Sequence, residues 1–569
     1  MKSGPGRSVS GRSVSGRSVG GGLLASAVLI GVITAIARVV GFGRWIAFSG
    51  NVGAACVGSA YSTANVLPNV LFEVVAGGAL AGAVVPLLAG PLSRAVPEGI
   101  DGGRSGRAEI DQIASALIGW VLLVLVPAAA LLAALAGPLS RLLIDEKCSG
   151  ERDLAARLLL VFAPQIALYG IGVVLSGVLV AHRRFLAPTL APLLSSLLVI
   201  GAYLMFGATA DGAQNAADRL PGTAEAWLAW GTTGGVLVMT VPLLIPVTRL
   251  GVRLRPTLRF PPGVARRGAA LASAGIGALL AQQVAVLVVV VLSNHSADNG
   301  ALPVFQYAQA VYLLPYAVLA VPLATSAFPR LAERAATGDR AGFAQTASVS
   351  TRAVAVVTLL GVAVLVAVAA PVADFFAGLD QGDVGGMGAA LTVMAPGLVG
   401  FGLIAHLGRA LYALERGRDA ALATVTGWLA VIVGSLVAVR WVSVVTGLAW
   451  GNTIGMTVAG FLLVLTLRRA AGPEAVAGLT RVLVAGAVAA GVAGLVGREI
   501  GLLVLHAVTT GGSGGGSADG GAGITGSILA GALAAVLAGL GFLLLLAVLD
   551  RKDLATVLER IPGRSKVAS

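Results

Sequence analysis

Charge is what this chain has little of. Lysine, arginine, aspartate and glutamate make up 11% of its 569 residues, whereas a soluble domain carries roughly a quarter. Together with 57% hydrophobic residues and a mean hydropathy of +0.92, that scarcity excludes a soluble globular fold. Other absences exclude chemistries. No Gly-rich phosphate loop is present, which argues against an ATP-driven pump. The four histidines and two cysteines form no metal-ligand pattern, and no nucleophile arrangement stands out. No metal, no cofactor and no enzymatic reaction is therefore expected.

Long apolar runs are what the chain has instead. They fall near residues 22–49, 60–92, 112–137, 155–181, 186–208, 225–248, 268–293, 302–329, 353–377, 387–414, 420–439, 442–467, 482–507 and 524–549. Runs of about 20 residues are long enough to span the hydrocarbon core as helices. The expected fold is an all-α polytopic membrane protein of about fourteen transmembrane helices. Seventy-nine glycines suit such a fold, because small residues let membrane helices approach closely.

The basic residues set an expected orientation. With a cytoplasmic N-terminus, inner loops collect Arg94, Arg104, Arg107, Arg183, Arg184, Arg249, Arg330, Arg334, Arg416, Arg418, Arg468 and Arg469. Outer loops hold Asp145, Glu146, Asp211, Asp218, Asp298, Asp380 and Asp383. Both termini are expected inside a cell membrane, and the net charge of +13 is mostly this bias, so nucleic acid is not an expected partner. Cys56 and Cys148 both fall outside, where a disulfide is permitted. Residues 1–21, with a thrice-repeated Gly-Arg-Ser-Val, and 551–569 read as basic tails. Such a segment can lie against anionic lipid headgroups. Thr509 to Gly523 reads as a flexible outer loop.

An internal repeat is visible. Ala60 to Pro68 (AYSTANVLP) is echoed by Gln306 to Pro315 (QYAQAVYLLP), and Val180-Ala181-His182-Arg183-Arg184 by Tyr412-Ala413-Leu414-Glu415-Arg416. Both halves start inside, as in parallel repeats related by an axis along the membrane normal. The expected plan is a six-helix bundle over 22–250, a basic linker at 251–267, a second bundle over 268–469, and two further helices within 470–550. A substrate cavity is expected between the bundles.

The first run carries Arg38 and Arg44. An arginine at membrane depth costs several kcal/mol or more and commonly faces a wet cavity or a partner. The pair marks a pathway, and its charge points to an anionic cargo. Six residues place the two about 9 Å apart along a helix and roughly 120° apart around it. Gly41 and Gly43 offer a bend that would aim both at one cavity. The alternative for Arg44 is an interfacial arginine with its head in the headgroup layer.

Ala37-Arg38-Val39-Val40-Gly41-Phe42-Gly43-Arg44, followed by Ala64-Asn65-Val66-Leu67-Pro68-Asn69, resembles the opening signature of the MurJ (MviN) lipid II flippases. Gly78 to Pro86, Leu314-Pro315, Phe328 to Leu331 and Arg409 to Leu414 resemble later landmarks, the last of the actinobacterial branch. The resemblance covers about residues 22–550. It implies membership of the multidrug/oligosaccharidyl-lipid/polysaccharide exporter superfamily. The implied activity is transfer of the undecaprenyl-pyrophosphate-linked peptidoglycan precursor, lipid II, to the outer leaflet, with cell-wall synthesis proteins as candidate partners. It also implies that Arg38 and Arg44 bind the pyrophosphate.

The chain departs from that pattern where the family often has further charges. Phe72 and Glu73 stand after the Leu-Pro-Asn motif, Ala308-Gln309-Ala310 in the eighth helix, and Trp45 after the second arginine. Glu73 lies at a depth similar to Arg38 if helices one and two pack antiparallel, so it is a candidate buried counter-ion and coupling residue, with a carboxylate facing a wet cavity without a fixed partner as the alternative. Asp374 is a second candidate coupling carboxylate. Asn65, Asn69 and Gln309 are candidate cavity residues, with interhelical hydrogen bonding as the alternative. Arg409 is a candidate for the substrate's way in, and His406 reads as structural. The competing functions are a drug or polysaccharide-lipid exporter of the same superfamily and a non-transporting scaffold for cell-wall synthesis.

Overall fold

A chain crossing hydrocarbon must satisfy its backbone hydrogen bonds internally, which leaves helices or closed barrels. The computed structural model takes the first solution. It describes residues 18–74, 81–94, 100–296, 300–380, 383–511 and 523–551, and among them there is no strand. Residues 1–17 and 552–569 of the two tails, most of the loop after Thr509, Asp298 and residues 78–80 of the third landmark lie outside the described residues, and the end of the first tail, from Ser18, already belongs to a helix.

The first six spans comprise α1 (Ser18–Asn51), α2 (Cys56–Phe72) with α3 (Ala81–Arg94), α4 (Ile100–Ala134) with the short α5 (Ala136–Leu143), α6 (Glu151–Phe162) with α7 (Gln165–Ala181), α8 (Leu186–Thr209), and α9 (Gly222–Thr240) with α10 (Leu244–Arg249). The next six comprise α11 (Val264–Asn294), α12 (Ala301–Pro315) with α13 (Val321–Ala336), α14 (Arg340–Ala377), α15 (Met387–Met394) with α16 (Gly397–Ala413), α17 (Gly417–Ala438) and α18 (Val444–Ala471). Two more, α19 (Leu479–Gly511) and α20 (Gly523–Leu549), pack on α14. Among the described residues twelve helices are long and apolar enough to cross a membrane, thirteen if α15 and α16 are one bent span. The span at 60–92 is divided between α2 and α3, so about fourteen is consistent.

Proline accounts for most of the interruptions that apolar runs conceal. It lacks an N–H and its ring clashes with the preceding turn. Pro164 separates α6 from α7, and Pro396 separates α15 from α16, which meet at 47°. After Pro315 the chain takes a π turn over Tyr316–Ala320, and after Pro68 another begins at Glu73. These breaks repeat between the halves, Pro164 and Pro396 at an offset of 232 residues and Pro68 and Pro315 at 247. The caps repeat too. Arg183 and Glu415 both take φ 59°, and the next N–H, of Arg184 or Arg416, donates to Leu179 or Leu411 five residues back at 2.8 and 2.9 Å.

Close helix approach relies on missing side chains. A Cβ on Gly400 of α16 would sit 2.1 Å from the Met456 carbonyl oxygen of α18. The two faces are chemically distinct. One carries the turns at Arg183–Arg184, Arg249 and Arg416 and is here the basic face. The other carries the disulfide between Cys56 and Cys148 and is the cystine face. At the ends of the last two helices, Ser527 donates to Asp374, and Arg481 pairs with Asp550 at 2.9 Å. Asp374, a candidate for ion coupling, thus joins α14 to α20.

Candidate functional site

The site grows out of α1. From Gly31 to Val39 this helix is exposed on nearly every side, with Val32 at 50% and Val39 at 70%, and Arg38 is exposed too. Three turns on, Phe48 and Ser49 are buried. Arg44 sits at the transition, half-buried, its guanidinium 5.8 Å from the Trp45 ring centroid. The end of α1 at the cystine face is sealed by aromatic rings. Trp45 meets Tyr307 edge-on at 6.0 Å, and Phe48 touches Tyr61 and Tyr203 at 5.4 and 5.3 Å. The Tyr61 hydroxyl bonds those of Tyr203 and Thr232 at 2.8 and 3.0 Å.

Arg38 and Arg44 face different walls. Arg44 lies within electrostatic reach of Tyr61, Tyr169 and Tyr203, all in the first half. Arg38 acts on Tyr316 of the second half, and so does Arg409. α1 runs as one unbroken helix through Gly41 and Gly43, which have open space beside them. Arg409 also donates to the Ala405 carbonyl of its own helix, and Tyr316 packs on Phe401 with ring centroids 4.3 Å apart. Among the described residues Arg38, Arg44 and Arg409 have no carboxylate within ion-pair distance. The arrangement offers uncompensated cations from both halves, which suits an anion.

The candidate pair between Glu73 and Arg38 does not form. Glu73 caps α2 where the π turn begins, half-buried and without an ion pair among the described residues. α1 packs mainly along α8 and meets α2 at its buried end, through Phe48 and Tyr61, so similar depth does not bring the two charges together. Phe72 packs against Tyr169 with ring centroids 4.6 Å apart and planes tilted by 35°, turning the position that lacks a family arginine into an aromatic wall. Asn69 donates to the Asn65 carbonyl at 2.7 Å within its own helix, and both are half-buried. Gln309 is half-buried, with no hydrogen bond among the described residues. His406 is fully buried and bonds Ser350 at 2.9 Å, in keeping with a structural role. The tyrosines were not singled out from the sequence, although Tyr61 and Tyr307 both lie in the repeated motif.

The sequence profile described as lipid II flippase MurJ matches residues 48–509. The chain belongs to this family. The matched segment begins four residues after Arg44, so it includes Arg409 and leaves out the first-helix arginines. A relative in Rhizobium tropici described as a probable lipid II flippase MurJ is 26% identical over 455 residues, 77% of this chain and 80% of that one. Another, from Rhizobium meliloti, is 25% identical over 53% of this chain and 54% of its own length. In fold, this MurJ-family chain resembles a structure titled lipid II flippase MurJ in an inward closed conformation. The TM-score is 0.68 at 17% identity, covering 92% of this chain and 99% of that one. It also resembles an inward-facing multidrug resistance MATE family transporter of the MOP superfamily, at TM-score 0.62 and 14% identity over 78% and 94% of the two chains. The fold is therefore shared with a multidrug transporter. Cargo must be argued from the site.

Proposed function

We propose that this lipid II flippase holds the pyrophosphate of its cargo between Arg38 and Arg44 of α1 and Arg409 of α16, and carries it from the basic to the cystine face by alternating access. The observation that carries the reading is the absence of a carboxylate partner for all three arginines among the described residues. Cations at membrane depth are costly unless compensated, and a pyrophosphate supplies the compensation. Guanidinium is always protonated and matches phosphate oxygens in a bidentate fork. Arg38 and Arg409 come from opposite halves and both lie within electrostatic reach of Tyr316, so one anion between them would draw the halves together.

Direction follows from charge. The arginine-rich loops favour a cytoplasmic basic face, and a disulfide at the opposite face suits an oxidising exterior. The exposed stretch of α1 then opens toward the leaflet in which a cytoplasmically made precursor starts. Neutral groups take the places of the family's additional cations, with Tyr316, Gln309 and Asn69 as hydrogen-bond donors around the phosphates. Cell-wall synthesis proteins remain the expected partners downstream.

The test is complementation of a flippase-depleted strain. Arg38→Ala should insert normally and fail to support growth, with Arg38→Lys keeping part of the activity. Full complementation by Arg38→Ala would overturn the reading.

A further inference from the structure

Asp380 follows the end of α14 at the cystine face, 9% exposed. Three donors converge on its carboxylate: the Ser49 hydroxyl at 3.0 Å, the Ala54 backbone N–H at 2.8 Å and the Tyr307 hydroxyl at 2.9 Å. Ser49 lies in the last turn of α1 and Ala54 in the turn to α2, so both belong to the first half. Tyr307 is on α12 and, like Asp380, belongs to the second. The contact bridges 331 residues of chain. Around it the halves meet in two further places. Asn294 of α11 donates to the Thr63 hydroxyl of α2 at 2.8 Å and to the Leu143 carbonyl at 3.0 Å. Gly300, at φ +76°, lies so close to Ala54 that a Cβ would be 2.0 Å from its carbonyl oxygen.

We infer that Asp380 is the latch of the cystine-face gate, a positioning residue that holds the first half closed against the second and must release Ser49 and Ala54 for cargo to leave. The geometry gives the latch a direction. Tyr307 and Asp380 sit in the same half, so their bond can persist while the halves part. The bonds to Ser49 and Ala54 cannot. A carboxylate accepts at up to four sites, and bonds to a charged acceptor are the stronger kind. They are also replaceable by water once the gate admits it. Beside the Asn294 bonds and the Gly300 approach, the seal is aromatic, with Tyr307 stacked on Phe376 at 5.0 Å and edge-on to Phe48 at 6.1 Å. Such contacts close a gate but give it no single point of release. The carboxylate provides that point.

The inference takes alternating access as its frame and needs no assumption about the cargo. Its test is thiol accessibility in non-reducing membranes, where Cys56 and Cys148 are tied to each other and do not react. One reporter is Ala60→Cys, buried on α2 one turn before Thr63. The other is Asn69→Cys, nearer the basic side of the same helix. Impermeant maleimide is applied from each face in turn. Asp380→Ala should raise labelling of residue 60 from the cystine face at least tenfold and lower labelling of residue 69 from the basic face. Asp380→Asn, which keeps the shape and loses the charge, should fall between Asp380→Ala and the parent. A rise at both reporters would mean loosened packing and would overturn the latch, as would no change at either. If Asp380→Ala fails to insert, the pair Ser49→Ala and Tyr307→Phe removes both hydroxyl donors and leaves the carboxylate. It should shift the two reporters in opposite directions by about threefold, and equal labelling would overturn the inference. Because no lipid II is used, a working latch beside full complementation by Arg38→Ala would sink only the cargo assignment.

Discussion

Between Gly31 and Val39, α1 touches little of its own protein, whereas at Phe48 and Ser49 the same helix is enclosed by rings from both halves. Both stretches belong to one unbroken helix. What differs is what packs beside it. The open stretch holds an arginine with no carboxylate partner among the described residues, and the closed stretch holds hydroxyls satisfied by a carboxylate. Polar groups thus do opposite work at the two ends. On the proposed reading the unmatched groups take the ligand, and those matched across the halves shut the path. A transporter needs both at once, because a cavity open at each end would leak.

The largest effect should come from breaking the open end. Arg409→Ala, with Arg38 intact, should lower complementation at least tenfold while the cystine-face gate stays closed by thiol labelling. Unchanged growth would confine Arg409 to a structural role. Next is the sealed end. Gly300→Val combines a left-handed φ with a Cβ that collides with the Ala54 carbonyl, so it should prop the gate apart and raise cystine-face labelling of residue 60 severalfold. Both halves of that argument are steric, so Gly300→Ala should already show it. If valine labels like glycine, the two halves do not meet there.

A smaller effect is expected from the disulfide, which lies within the first half and does not cross the gate. Cys56→Ser with Cys148→Ser removes a link spanning 92 residues and should lower stability by about 2 kcal/mol or more. Thermal unfolding in detergent measures it, and gate labelling should not change. A change in gating would assign the cystine a part in the sealed end. Smallest is the turn on the basic face at Asp339, whose carboxylate caps α14 through the Gly342 N–H at 2.9 Å. That N–H and the Arg334 guanidinium hold its carboxyl below the usual carboxylate range. A depressed folded-state pKa adds stability above the unfolded pKa that is lost as pH falls through the folded one. Asp339→Asn should therefore be slightly less stable at neutral pH, and the difference should vanish in strong acid. A difference that persists there would mean that charge is not the cause.

Much of this was legible beforehand where chemistry repeats along the chain. The Leu-Pro motifs at Pro68 and Pro315 and the arginine-bearing first helix identified both the duplication and the family. The breaks at Pro164 and Pro396 were hidden, because membrane helices tolerate proline wherever neighbours satisfy the freed groups and hydropathy runs through them. Glu73 and Arg38 were paired by counting the helical rise, which gives height but not azimuth. With α1 lying on α8, azimuth decided against them. Asp380 was visible only as one acid among the outer loops. Its meaning comes from Ser49, 331 residues away, and from a duplication that folds two distant turns onto each other.

The most direct test of the central claim is lipid II binding to the purified protein, followed by native mass spectrometry. Arg38→Ala, Arg44→Ala and Arg409→Ala should each weaken binding at least tenfold. Arg469→Ala, an exposed arginine at the basic face outside the cavity, should leave it unchanged. Equal weakening by all four would make the attraction a property of surface charge, and undiminished binding by the first three would contradict a pyrophosphate site built on unmatched cations.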